Sequence, residues 1–300
     1  MNYELRPLSL AEILDAGFRL VQVEWKTLIG LSAIMQIPIV LLASRAGWLL
    51  DPLAQPFESG EEPSPEMLIE MGLLGAGMGL AYLILYPFIA GAVTASVGNF
   101  YLGRRFEFAD AAQAGLHSLL RLVASYIVYV FALGLGGMLL GLGGFFAGTA
   151  LLAVLEPLGA AGTAIQFLGG ALLLALVMIG FLFAGAASAL LAPVVVLESR
   201  GIFASVARIF ALGLSSRWRL IGVIWTAGMI VGVPVFGAQM MIGFVPYVGV
   251  LIWAAFQAVG FAFTSAVAVV LYFDLRCRAE NYDLELLAEQ VEAGPGLGQR

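Results

Sequence analysis

Hydrophobic positions along this chain gather into long runs separated by short patterned segments. The runs cover roughly Thr27–Leu50, Gly72–Leu102, Leu122–Leu155, Gln166–Leu197, Leu220–Phe244 and Val248–Phe273. Each reaches the about 20 apolar residues that cross a bilayer as a helix. The second, third and fourth are long enough to tilt or project beyond it. The pattern predicts an all-α, polytopic membrane helix bundle with about six transmembrane helices.

The segments ahead of the runs have helical periodicity with a narrow polar stripe. In "RPLSLAEILDAGFRLVQVEWK", Ser9 and Glu12 form an S-x-x-E capping box at the start of an amphipathic helix. Glu12, Asp15, Arg19, Gln22 and Lys26 fall within an arc of about 80°, opposite Leu10, Ile13, Leu14, Leu20, Val21 and Trp25. Glu24 falls on the apolar side. Such helices lie in the membrane interface rather than crossing it. The arrangement returns in "FEFADAAQAGLHSLLR", with Glu107, Asp110, His117 and Arg121 aligned. It returns again in "GIFASVARIFALGLSSRWR", with Arg208, Ser215 and Arg219 aligned. Leu10, Phe108 and Phe203 hold equivalent positions about 100 residues apart. The expectation is one membrane domain, 1–278, built of three repeats (about 1–101, 102–198 and 199–278). Each repeat is an interfacial amphipathic helix followed by a helical hairpin. A partly disordered cytoplasmic tail, 279–300, follows.

Composition agrees with this class. The 300 residues are 61% hydrophobic and only 11% charged, with mean hydropathy +0.99; soluble domains carry about 25% charged residues. The start, "MNYELRPLSL", lacks the apolar core and small-residue cleavage site of a secretory signal. One cysteine, Cys277, excludes an internal disulfide and any multi-cysteine metal site.

Charge placement predicts orientation. Every Lys and Arg except Arg45 flanks the same set of loops: Arg6, Arg19 and Lys26; Arg104, Arg105 and Arg121; Arg200, Arg208, Arg217 and Arg219; Arg276, Arg278 and Arg300. The opposite loops carry Asp51, Glu58, Glu61, Glu62, Glu66, Glu70 and Glu156. The positive-inside rule makes the basic side cytoplasmic. The expected location is the cell (inner) membrane, multi-pass, with both termini cytoplasmic. The polar segment 51–67 reads as a plain outer connector.

No predicted span has a Lys, Asp or Glu near its middle, although such residues mark ion and proton pathways. Gln36, Tyr82, Tyr86, Tyr126, Tyr129, Gln239 and Gln257 remain. They serve helix-to-helix hydrogen bonding or line a cavity. Gly134, Gly137, Gly141, Gly144 and Gly148 form a stripe containing two GxxxG pairs, for packing inside the bundle or for a dimer face. His117 is the only histidine, paired carboxylates occur only at the cytoplasmic rim, and no phosphate-binding loop is present. The expectation is a non-enzymatic protein without cofactor, metal site or nucleic-acid partner.

The rim is the one place where both charge signs converge. Glu12, Asp15, Arg19, Glu198, Arg208, Arg219, Asp274 and Arg276 are expected at one membrane depth. They form an ion-pair network that locks the interfacial helices to the bundle, or a docking site for membrane lipids or a protein partner.

"RPLSLAEILDAGFRL", "APVVVLESRGIFASVARIFAL" and "VLYFDLRCRAENYDLELLAEQ" resemble the membrane-domain family named after glycerophosphoryl diester phosphodiesterases. The resemblance covers most of the chain. It implies a multi-helix membrane module of bacterial type, found ahead of a phosphodiesterase barrel in some members and alone in many. About 27 residues follow the last run, too few for the barrel, so neither it nor its catalytic His and carboxylate motifs are expected. The family name therefore implies a lipid connection and no activity. A non-enzymatic scaffold or accessory module is the leading expectation; a transporter or channel-like protein for an apolar or amphipathic substrate is the alternative.

Overall fold

The computed structural model describes residues 6–39, 64–103, 106–242 and 244–282. These are almost entirely helical, and no strand occurs among them. In chain order the helices are α1 (Leu10–Val23), α2 (25–39), α3 (Pro65–Tyr101) and α4 (Phe108–Leu155), followed by a 3-10 turn at Glu156–Leu158. Then come α5 (Ala160–Ser188), α6 (Leu191–Leu197), α7 (Ile202–Ser215), α8 (Arg217–Ile242) and α9 (Pro246–Glu280).

Among the described residues, five helical stretches are long and apolar enough to cross a membrane: Pro65–Tyr101, Phe108–Leu151, Ala160–Leu197, Arg217–Ile242 and Val248–Glu280. The first predicted span, Thr27–Leu50, begins inside α2, and its residues 40–50 lie outside the described set, as does most of loop 51–67.

Local chemistry sets the helix starts. Ser9 caps α1: its Oγ accepts the Glu12 N–H at 3.2 Å, and Glu12 Oε2 accepts the Ser9 N–H at 2.6 Å. Ser64 caps α3 by accepting the Met67 N–H, with Pro65 in the first turn. α9 ends at Asn281, which takes the left-handed conformation (φ 53°) that terminates many helices.

Two of the predicted interfacial helices are separate elements, and the second is not. α1 breaks from α2 at Glu24 (φ −111°, ψ 31°), and α7 breaks from α8 at Ser216 (φ −139°, ψ 43°). At the third-copy break, Ser215 Oγ donates to the Leu212 carbonyl at 2.7 Å, a bond that competes with helix continuation. The stretch carrying Glu107, Asp110, His117 and Arg121 instead runs into α4, which continues for 48 residues, about 72 Å. Its Leu122-Val-Ala sequence offers no breaking residue, so the periodicity marked an amphipathic face without marking a joint.

The core is concentrated at one end of the bundle. Many buried residues fall in 87–101 of α3, 111–129 of α4, nearly all of α6, 220–227 of α8 and 258–277 of α9, and faces of α1, α2, α5 and α7 pack against them. Tyr272, Leu122, Ile89 and Leu191 are fully enclosed. Tyr101 stacks on Phe273 with ring centroids 5.1 Å apart, joining α3 to α9. The other halves of the helices are bare and apolar: Leu135, Phe145, Phe146, Leu172 and Phe181 on α4 and α5 are all exposed. An exposed surface that is hydrophobic all round belongs in lipid.

Candidate functional site: a charged rim that clamps the chain ends

α1 lies along α9. Its buried face is Ile13, Ala16, Gly17, Leu20 and Val21, so the helix joins the bundle by the stripe opposite its charges. A Cβ on Gly17 would sit 2.6 Å from Val267 Cγ2, so only glycine permits this approach. Leu10 and Trp25, assigned to the same apolar face, are exposed. The Glu24 carboxylate has no hydrogen-bond or ion partner among the described residues. Glu24 ends α1, its N–H bonding the Leu20 carbonyl, and partial burial raises its carboxyl above the usual range.

Just ahead of α1, the backbone of Leu8 is gripped from two helices. The Asp274 side chain on α9 is fully buried. It accepts the Leu8 N–H at 2.8 Å, Arg219 Nε at 2.7 Å and Arg278 Nε at 3.2 Å. The Leu8 carbonyl accepts from Arg278 Nη2 at 2.9 Å and from Arg219 Nη2. Both backbone groups of Leu8 and the carboxylate are thus satisfied together. A buried carboxylate is tolerable only when paired and hydrogen-bonded in this way.

A second cluster ties α6, α7 and α9 through a closed circuit. Arg208 on α7 donates from Nε to Glu198, which caps α6, at 3.1 Å, and from Nη2 to Glu280. Glu280 accepts Arg276 Nε at 3.0 Å. Arg276 Nη1 reaches the Tyr272 hydroxyl at 3.4 Å, and that hydroxyl donates to Glu198 Oε1 at 3.0 Å. Arg200 also donates to Glu198. The Arg276 guanidinium lies 3.8 Å from the Tyr282 ring centroid, a close cation–π contact.

The structure therefore unites Glu198, Arg208 and Arg276 in one cluster and Arg219 and Asp274 in another. It leaves three of the sequence candidates outside both. Glu12 pairs with Arg6 at 2.7 Å, and Asp15 pairs with Arg19 at 2.9 Å on the exposed side of α1. The Ser9 backbone N–H and the Arg6 guanidinium hold the Glu12 carboxyl down to about 2.

Sequence reasoning passed over Leu8, Tyr272, Glu280 and Tyr282, and placed Arg278 beside Asp274 without pairing them. A backbone partner such as Leu8 has no residue-type signature. Glu280 was assigned to the tail, but α9 continues through it. The i, i+4 spacings Asp274–Arg278 and Arg276–Glu280 were the available signal.

The glycine stripe does not pack inside the described bundle. Added side chains at Gly134, Gly137, Gly141 and Gly148 would meet nothing within 4 Å, and only Gly144 approaches another helix, at Leu173. The close α3–α4 contact uses Gly91 and Gly115 instead. Of the polar span residues, Tyr129 donates to the Ala184 carbonyl, and Tyr86 meets Tyr126 edge-on at 5.4 Å. Gln36 is buried beside an apolar cavity of about 470 Å³ between α2 and α9. His117 bonds its own helix at the Gln113 carbonyl. Among the described residues, no three His, Cys, Asp or Glu side chains converge as a metal site would require.

No family model, curated protein or solved structure matches this chain.

Proposed function

We propose that this chain is a non-enzymatic integral membrane module, a scaffold or accessory protein whose charged rim contacts anionic lipid headgroups or a partner protein. The observation that carries the reading is the composition of the rim. Carboxylates and guanidiniums from α6, α7, α8 and α9 are spent on one another and on the Leu8 backbone. Among the described residues each cluster still holds one more guanidinium than carboxylate. Such a layer is rigid and net positive, which suits anionic headgroups.

The charge bias among the loops supports a cytoplasmic rim in an inner membrane with both termini inside. The matching breaks at Glu24 and Ser216 support a repeated plan whose middle copy has lost its joint. The resemblance to the membrane-domain family of glycerophosphoryl diester phosphodiesterases supports a membrane module with a lipid connection.

Photo-cross-linking from position 200 in native membranes tests the proposal, with position 172 on the apolar surface as control. Specific anionic-lipid or protein adducts at 200 are expected; equal labelling at both positions argues against it. The alternative is a transporter of an apolar or amphipathic substrate, favoured by the cavity at Gln36. Saturable flux of an amphipathic probe in proteoliposomes would support that alternative.

A further inference from the structure

An open groove of about 440 Å³ runs between α1, α8 and α9, lined by apolar side chains including Phe18, Ile230, Pro234, Phe256 and Phe263. One charged residue, Asp15, stands in its wall. The cavity between α2 and α9 adjoins it, and Val259 lines both. Asp15 and Arg19 are each more than half exposed and pair only with one another among the described residues. Lys26 lies over the Trp25 ring at the joint between α1 and α2. An amphipathic charged stripe beside an exposed Trp belongs at headgroup level. With one charged residue in its wall and apolar side chains elsewhere, the groove suits an amphipathic ligand.

We infer that this groove binds a phospholipid with a primary-amine headgroup, of the phosphatidylethanolamine class. Its ammonium donates to Asp15, its phosphate accepts from Arg19, and its two acyl chains occupy the two adjoining cavities. The lipid exchanges one exposed ion pair for two, which keeps charge balanced; an exposed pair is cheap to open. A choline headgroup has no N–H to donate to Asp15, and an anionic headgroup without an amine leaves Asp15 facing like charge. The rim clusters differ, because their carboxylates are buried and engaged and their excess charge is positive. The inference goes beyond the rim reading above and concerns a different site.

The test uses the full chain extracted from bilayers containing equal phosphatidylethanolamine, phosphatidylcholine and phosphatidylglycerol, with bound lipid counted by native mass spectrometry. Phosphatidylethanolamine is expected to be retained about fivefold over phosphatidylcholine, the ratio that one favourable exposed ionic contact supplies. Asp15→Asn is expected to abolish that preference. Val259→Trp, which blocks the junction of the two cavities at an exposed position, is expected to lower phosphatidylethanolamine retention without changing the melting temperature. Equal retention of the two zwitterionic lipids, or a preference that survives Asp15→Asn, overturns the inference. Retention of phosphatidylglycerol alone overturns it and leaves the rim reading standing. Retention of no phospholipid overturns it and removes lipid contact from the proposed function.

Discussion

The carboxylate of Asp274 holds the backbone N–H of Leu8 at 2.8 Å across 266 positions of sequence. The same carboxylate takes Arg219 from α8 and Arg278 from its own helix. One side chain thus fixes the entry to the first helix against the exit of the last.

Asp274→Asn keeps the shape and removes the charge, leaving two guanidiniums and a backbone amide with a weaker acceptor. Removing one partner of a buried pair costs about 3–5 kcal/mol. Thermal unfolding in detergent is expected to show a large loss. Arg219→Gln, at a side chain that keeps some exposure, is expected to cost less.

The circuit through Glu198, Arg208, Glu280, Arg276 and Tyr272 predicts non-additivity. Single substitutions Glu198→Gln and Glu280→Gln each weaken Arg208. The double variant is expected to depart from their sum by about 0.5–3 kcal/mol. Additive behaviour in a chemical denaturation cycle would mean that the two carboxylates act independently.

Glycines divide into two kinds. Gly17→Leu drives a side chain into Val267 and is expected to destabilise by about 1–3 kcal/mol, with partial rescue by Val267→Ala. Gly141→Ala meets nothing within 4 Å and is expected to stay within about 0.5 kcal/mol of wild type. Analytical ultracentrifugation of Gly141→Leu asks whether the bare stripe is a face between two copies. A shift toward monomer would establish it as one.

Glu12 titrates far below an ordinary carboxylate because folding gives it the Ser9 N–H and Arg6. A depressed folded pKa contributes stability above the unfolded value, near 4.5, and loses it as pH falls through about 2. A spin label at the exposed Ala11 is therefore expected to keep its mobility from pH 7 to 4.5 and to loosen progressively toward pH 2. In Glu12→Gln that low-pH change is expected to be absent.

The legible parts of this fold were those written in one segment at a time. The Ser9–Glu12 box announced the start of α1, and hydropathy announced the long helices. Both charge signs near one depth announced Asp274, Arg219, Glu198 and Arg208 as rim residues without saying which would meet. Pairing was not legible, because a stripe does not say what it faces. Asp15 and Arg19 looked like rim residues and instead face away from the clusters, since α1 turns its apolar side to α9. The continuity of α4 was hidden because amphipathic periodicity is the same with or without a break. The glycines of α4 were conspicuous by spacing, but the close approaches fall at Gly17, Gly91 and Gly115, where neighbours rather than spacing decide.

The most direct test of the clamp measures the distance between α1 and the end of α9. Spin labels at Ala11→Cys and Ala279→Cys, both exposed, in a Cys277→Ala background report it in nanodiscs. A single narrow distance distribution is expected for the otherwise native chain, and a broad, longer one for Asp274→Asn. An unchanged narrow distribution in Asp274→Asn would contradict the claim that this carboxylate holds the start of α1 to the end of α9.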